Sequence, residues 1–194
     1  MAKQLDLEFA VQGDWMQTYS HEQFWLLHPR PEQISIMEIA HALGNICRFT
    51  GHPLEFYSVA QHAVAVSENC LPEHALWGLL HDAHEIFMGD IASPLKETLK
   101  QLGAGDVLKV VEERLMAAVA ARFNLELPVP ADVWYADRVL LATEARDLFV
   151  GGSIENWPQR LGCEPLPARI IPFTPAVATH RFLRRAAELG IGVM

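Results

Sequence analysis

The sequence predicts an all-α fold, a single and mostly helical domain, and three observations carry that expectation. Apolar residues recur at helical spacing along most of the chain. The helical stretches are separated by start and stop signals, with Ser, Thr or Asp before them and Gly or Pro after. No internal repeat, low-complexity tract or block of like charge breaks the pattern. At 194 residues the chain suits one domain, 1–194, with a core of its own.

Each element has a local reason. SIMEIAHALGNICRF opens with Ser35 and Glu38, a capping-box pair, and reads as a helix to about Phe49 before Thr50-Gly51. SVAQHAVAVSEN opens in the same way with Ser58 and Gln61, and residues 59, 63 and 66 give it one apolar face. A third helix is expected over roughly 73–88. Ser93-Pro94 supplies a cap and a first-turn proline for a short helix ending near Gly103 or Gly105. Asp106 is expected to cap a long amphipathic helix reaching about Phe123. Another runs from about 131 to 149 and stops at Gly151-Gly152, and Thr174-Pro175 starts the last, ending at Gly190. Residues 150–173, with prolines 158, 165, 167 and 172, read as an ordered surface loop. They are not read as a linker, because only about twenty residues follow them. The first thirty residues are aromatic-rich and poorly periodic, and no element is assigned there.

Composition narrows the function. A hydrophobic content of 51% with 20% charged residues is ordinary globular composition. No run of 18 apolar residues exists to span a membrane, and the first twenty residues lack the apolar core of a signal peptide. Cys47, Cys70 and Cys163 fall in no paired spacing, which fits a reduced, cytoplasmic protein. A net charge of −9 argues against a nucleic-acid polymer as partner. A small anionic substrate stays open if a metal ion or a few local cations receive it.

The most informative stretch is LLHDAHEIFMGD, residues 79–90. On a continuous helix at about 100° per residue, Glu85 falls near 40° from His81 and Asp82 near 100°. The three share a face, while His84 sits about 60° to the other side. Hydrocarbon surrounds them, and between His52 and Lys96 the only basic residues are histidines. Buried charge without a partner is costly, so a bound cation is the natural counterpart. His62 lies mid-helix among alanines and valines, and Asp137 sits inside WYADRVLLATEARDLF. Alone, His62 reads as a satisfied core histidine, and Asp137 as the partner of Arg138 or Arg146. Together, H…HD…D offers two imidazoles and two carboxylates, a mixed set suited to a divalent transition metal.

This ordered set resembles the HD-domain metal-dependent phosphohydrolases. It is most similar to their branch of bacterial 5′-deoxynucleotidases and related phage nucleotide phosphohydrolases. The matching residues are Arg48-Phe49, VAQH at 59–62, HDAHE at 81–85, Gly89-Asp90 and SPLK at 93–96, within roughly 34–150. The resemblance implies a helical bundle with His62, His81, Asp82 and Asp137 as ligands of one divalent ion (cobalt, manganese, zinc, nickel or iron). It further implies that Glu85 serves acid/base catalysis, with orientation of the water as its competing role. By the same resemblance, Arg48 would grip phosphate, Phe49 would pack beside the nucleoside, Asp90 would lie near the sugar hydroxyls and Lys96 would neutralise phosphate charge. A bound metal would lower the pKa of water from ~15.7 toward ~7 and so supply the hydroxide that attacks phosphorus.

Two positions depart from the pattern. Phe49 stands where several relatives carry tryptophan, and His84 where they often carry a small residue. The expected activity is removal of phosphate from (deoxy)nucleoside 5′-monophosphates. Release of triphosphate from a dATP-type substrate is the alternative on the same site. A non-catalytic nucleotide-binding module is a further reading, and an HD enzyme acting on cyclic nucleotides or guanosine tetraphosphate another. The resemblance also implies a homodimer or larger homo-oligomer, which the aromatic N-terminus would serve.

Overall fold

A computed structural model of the protein describes residues 13–150 and 157–192. It is mostly helical. A two-stranded antiparallel hairpin comes first, β1 (Trp15–Gln17) and β2 (Gln23–Trp25), with Trp15 opposite Trp25. Helices α1 (Ile36–Asn45), α2 (Val59–Asn69) and α3 (Ala75–Leu80) follow, then α4 (Ser93–Gln101) and α5 (Gly105–Phe123). The chain continues through α6 (Ala131–Leu148), α7 (Trp157–Leu161) and α8 (Pro175–Glu188). No helix among the described residues is long and apolar enough to cross a membrane.

α2 occupies the centre, because its small side chains let neighbours approach from every direction. Ala60 and Ala63 are fully buried, and α1, α3, α6 and α8 all pack against the helix. Gly78 of α3 does the same from the opposite side. A Cβ added there would lie 2.8 Å from Ser67 Cα and from Cys70 Sγ, so α2 and α3 meet closely only because the position is glycine. Ile39, Leu43, Leu79, Leu115 and Phe182 complete the core around this contact.

Capping follows the sequence in part. Ser35 and Ser58 accept the backbone N–H groups of Glu38 and Gln61, and Thr174 accepts that of Val177. The side chains at the third position do other work. Glu38 accepts from Ser20, tethering the N-terminal hairpin. Gln61 holds Ile171 O and Phe173 N, strapping the segment before α8 onto α2. Neither Ser93 nor Asp106 caps a helix. The cap positions are Ala92 and Ala104, and both polar residues fall in the first turn, where they still complement the helix dipole or its start.

Three further expectations are corrected. The first helix ends at Asn45 instead of Phe49, because Cys47 leaves to pair with Ser58 in an isolated antiparallel bridge. The loop after α6 contains the short α7. The helix over 73–88 is three pieces: a 3-10 turn at Pro72–His74, α3, and a second 3-10 turn at Ala83–Phe87. The expected stop at Gly151-Gly152 lies outside the described residues. In the N-terminal segment, Phe24 of β2 stacks on Phe87 at 3.7 Å between ring centroids, so the hairpin anchors the turn that follows Asp82.

Candidate metal centre

The break in the third helix decides the site. His81 and Asp82 follow α3 directly, with Asp82 at φ −104, ψ 13, outside helical geometry. Adjacent side chains on an unbroken helix diverge by about 100°. Here they converge, with His81 Nε2 and Asp82 Oδ2 3.2 Å apart.

α2 delivers His62 to the same point. Its Nε2 lies 3.3 Å from His81 Nε2, 3.2 Å from Asp137 Oδ1 on α6, and 3.7 Å from Asp82 Oδ2. A metal with bonds of about 2.1 Å has ligand–ligand edges of roughly 3.0–3.4 Å, which most of these separations match. His62, His81 and Asp137 form a closed group, each offering an atom within 4.8 Å of the others. Asp82 approaches both histidines without joining that closed group. Asp137 pairs with neither Arg138 nor Arg146: Arg138 lies over the Tyr135 ring, and Arg146 binds Asp147.

The outer nitrogens fix the tautomers. His62 Nδ1 is 2.6 Å from Glu144 Oε1, and His81 Nδ1 is 2.8 Å from Gly78 O. Both partners are acceptors, so each Nδ1 carries the hydrogen. In neutral rings the two Nε2 lone pairs then face each other at 3.3 Å, which is repulsive unless something positive lies between them.

Charge gives the same answer. Burial raises the carboxyl pKa of Asp82, Asp137 and Glu144, but neighbours outweigh it and hold all three below the usual carboxylate range: His81, His62 and Arg48 at Asp82, His62 and His81 at Asp137, and Arg48 and His62 at Glu144. Arg48 is their guanidinium partner, with Nη2 3.1 Å from Glu144 Oε2 and Nη1 3.6 Å from Asp82 Oδ2. With both imidazoles neutral, as metal ligands must be, three carboxylates against one guanidinium leave two negative charges unbalanced. A proton on His62 answers half of that. Burial and Arg48 oppose it, yet Glu144 and Asp137 raise the imidazole pKa to about 10. A divalent ion answers all of it, and the donor set of imidazole and carboxylate suits one.

Glu85 lies beside this group in a different state. Burial, then the charges of Asp82 and Asp90, push its carboxyl up to about 9. Its Oε2 is buried without a hydrogen-bond partner.

No family model matches the chain. Over 180 residues it is 38% identical to the uncharacterized protein YfdR of Escherichia coli, covering 90% of this chain and 95% of that one. The chain belongs to the YfdR family. A second relative, an uncharacterized protein of Rhodobacter capsulatus, is 34% identical over 141 residues, covering 68% of this chain and 69% of the relative.

Around the centre, this YfdR-family chain places the remaining candidates less uniformly. Phe49 is half-buried, with its ring edge-on to Phe149 at 5.2 Å and angled to Trp157 at 6.5 Å. Phe49 and Thr50 both take left-handed backbone, φ +54 and +56, a conformation that costs a residue bearing a Cβ. Asp90 holds that turn by accepting the Phe49 N–H at 3.1 Å. Lys96 is engaged by Glu112 of α5 at 2.8 Å. Burial lowers the pKa of His84 and keeps its ring neutral, and its Nδ1 has no partner. A groove of about 870 Å³ lies along the Tyr135, Ala136 and Val139 side of α6, walled by prolines 158, 165 and 167. Its walls contain none of the charged residues of the centre.

Glu144 is the residue that sequence reasoning missed. It is fully buried, and it stands seven residues after Asp137, two turns along the same face of α6. That spacing was the available signal, masked by Arg138 and Arg146, which made the helix look like an ordinary ion-paired surface.

Proposed function

We propose that this chain is a metal-dependent phosphohydrolase of the HD-domain type, acting on (deoxy)nucleoside 5′-monophosphates. The observation that carries the reading is the convergence of two imidazoles and two carboxylates at one point, with His62 Nε2 3.3 Å from His81 Nε2 and 3.2 Å from Asp137 Oδ1, and His81 Nε2 3.2 Å from Asp82 Oδ2. His62, His81, Asp82 and Asp137 would hold one divalent transition ion. When bound, that ion supplies Lewis-acid polarisation of a phosphoryl oxygen and acidifies water.

The chain's own residues supply the rest. Burial favours the protonated form of Glu85, and its carboxyl would deliver that proton to the 5′ oxygen as the P–O5′ bond breaks and the water oxygen bonds to phosphorus. The water's proton would pass to the Glu85 carboxylate, which restores the acid. Arg48 is held by Glu144 and Asp82 through its terminal nitrogens, and its Nε–H has no partner. The Nη hydrogens not directed at these carboxylates would reach a phosphate oxygen.

Two observations favour this reading over its alternatives. A buried carboxyl oxygen without a partner, as Glu85 Oε2 is, costs about 1–3 kcal/mol, which a binding module gains nothing by keeping. Arg48 and Lys96 are both already matched by carboxylates, so little cationic charge remains for β- and γ-phosphates. That favours a monophosphate over a triphosphate. Phosphate release is to be measured across a nucleotide panel with added metals, followed by chromatography of the products from dAMP and dATP. Deoxyadenosine and inorganic phosphate from dAMP are expected. Triphosphate released directly from dATP, with dAMP turned over poorly, would reverse the substrate assignment, and no release from any nucleotide with any metal would remove the enzyme reading.

A further inference from the structure

We infer that Glu144 is a positioning residue that selects which nitrogen His62 offers to the metal, its other oxygen being taken by a cationic donor, Arg48. The inference rests on the metal part of the proposed function and needs no nucleotide. Glu144 is fully buried, and its two oxygens are divided, Oε1 to His62 Nδ1 at 2.6 Å and Oε2 to Arg48 Nη2 at 3.1 Å. The carboxylate accepts both hydrogens, so Nδ1 keeps its proton and Nε2 points its lone pair at His81 and Asp137. His81 receives its tautomer from backbone, Gly78 O, which no side-chain substitution elsewhere can remove. His62 depends on one side chain alone.

The arrangement makes glutamine a sharp probe. Glutamine fills the same volume with one acceptor oxygen and one donor nitrogen. Facing His62 Nδ1–H and the Arg48 guanidinium, with the Tyr57 hydroxyl also beside the carboxylate, it must turn its one donor nitrogen toward one of the two. If its amide N–H₂ turns toward His62, Nδ1 becomes the acceptor, the ring proton moves to Nε2 and the metal loses its lone pair. If it turns toward Arg48, two donors face each other and the guanidinium moves away.

The test uses zinc ion alone on the full chain, with ¹⁵N-labelled histidine spectra and zinc affinity by chelator competition. In the zinc-loaded wild type, His62 should show a protonated Nδ1 and a zinc-bound Nε2. In Glu144→Gln, zinc affinity should fall about 10–100-fold, with the His62 proton divided between its nitrogens. A variant that only weakens the fold would leave the tautomer unchanged. Wild-type zinc affinity in Glu144→Gln, a weakened variant with Nδ1 still protonated, or wild-type His62 bound through Nδ1 would each overturn the inference. If the variant does not fold, the wild-type spectrum and Arg48→Lys decide it. Lysine offers Glu144 a donor in place of the guanidinium, so the His62 tautomer should persist, and its loss there would also overturn the inference. Absence of nucleotide hydrolysis would leave these outcomes untouched.

Discussion

Asp147, in the last turn of α6, holds the helix that carries both Asp137 and Glu144. Its carboxylate accepts from Arg146 at 2.7 and 2.8 Å, from Arg169 at 2.7 Å and from the Ile170 N–H at 2.9 Å. Burial opposes ionisation there, but those four hydrogen bonds bring the pKa from 3.8 down to about 2. A depression of nearly two units corresponds to about 2.4 kcal/mol of stability linked to the charged form. The sign follows from the direction. The contribution is complete above the unfolded value near 4, and it disappears as pH falls through 4 toward 2. Asp147→Asn should therefore be about 2 kcal/mol less stable at pH 7, or roughly 4–9 °C lower in Tm for a chain of this size. Urea unfolding of both proteins with chelator present, at pH 7, 5, 4 and 3, measures the difference. It should be constant from 7 to 5 and shrink below 4. A gap that stays constant down to pH 3, or no gap at pH 7, would refute the reasoning.

The other predictions concern the centre. Asp82→Ala and Asp137→Ala should each lower metal content below one divalent ion per chain and abolish turnover, and full occupancy by elemental analysis in either would remove that residue from the ligand set. Glu85→Gln should keep its metal while slowing phosphate release on the order of 10²–10⁴-fold; near-normal turnover would make Glu85 structural, and metal loss would make it a ligand. Gly78→Ala forces a methyl against Ser67 Cα, and should cost about 1–3 kcal/mol by chemical denaturation while weakening metal binding through displaced His81. A variant as stable as wild type would show that α2 and α3 separate freely.

The helices were largely legible, because caps and apolar spacing are local signals. Ser35, Ser58 and Thr174 announced their helices as written. What escaped was set by distant partners. Ile46 and Cys47 continue the apolar period of α1, but the bridge to Ser58 pulls them out of the helix. The hairpin strands are three residues long, too short for alternation to show, and their turn uses His21 at φ +65 where a glycine would have signalled it. His62, His81, Asp82 and Asp137 could be singled out because ionisable groups stood where hydrocarbon was expected, and the structure brings them together. The break at Asp82 could not be read, since HDAHEIF keeps helical periodicity through it.

The two left-handed residues after Arg48 bear on how this chain would respond to selection. Thr50 is exposed and sits at φ +56, where glycine would relieve about 1 kcal/mol of backbone strain. A search for thermostable variants would be drawn to glycine at that position. The same change would free the turn whose shape, fixed by Asp90 at the Phe49 N–H, sets the direction in which Arg48 leaves the backbone. Durability and guanidinium placement would thus be selected in opposite directions at Thr50, two residues after Arg48.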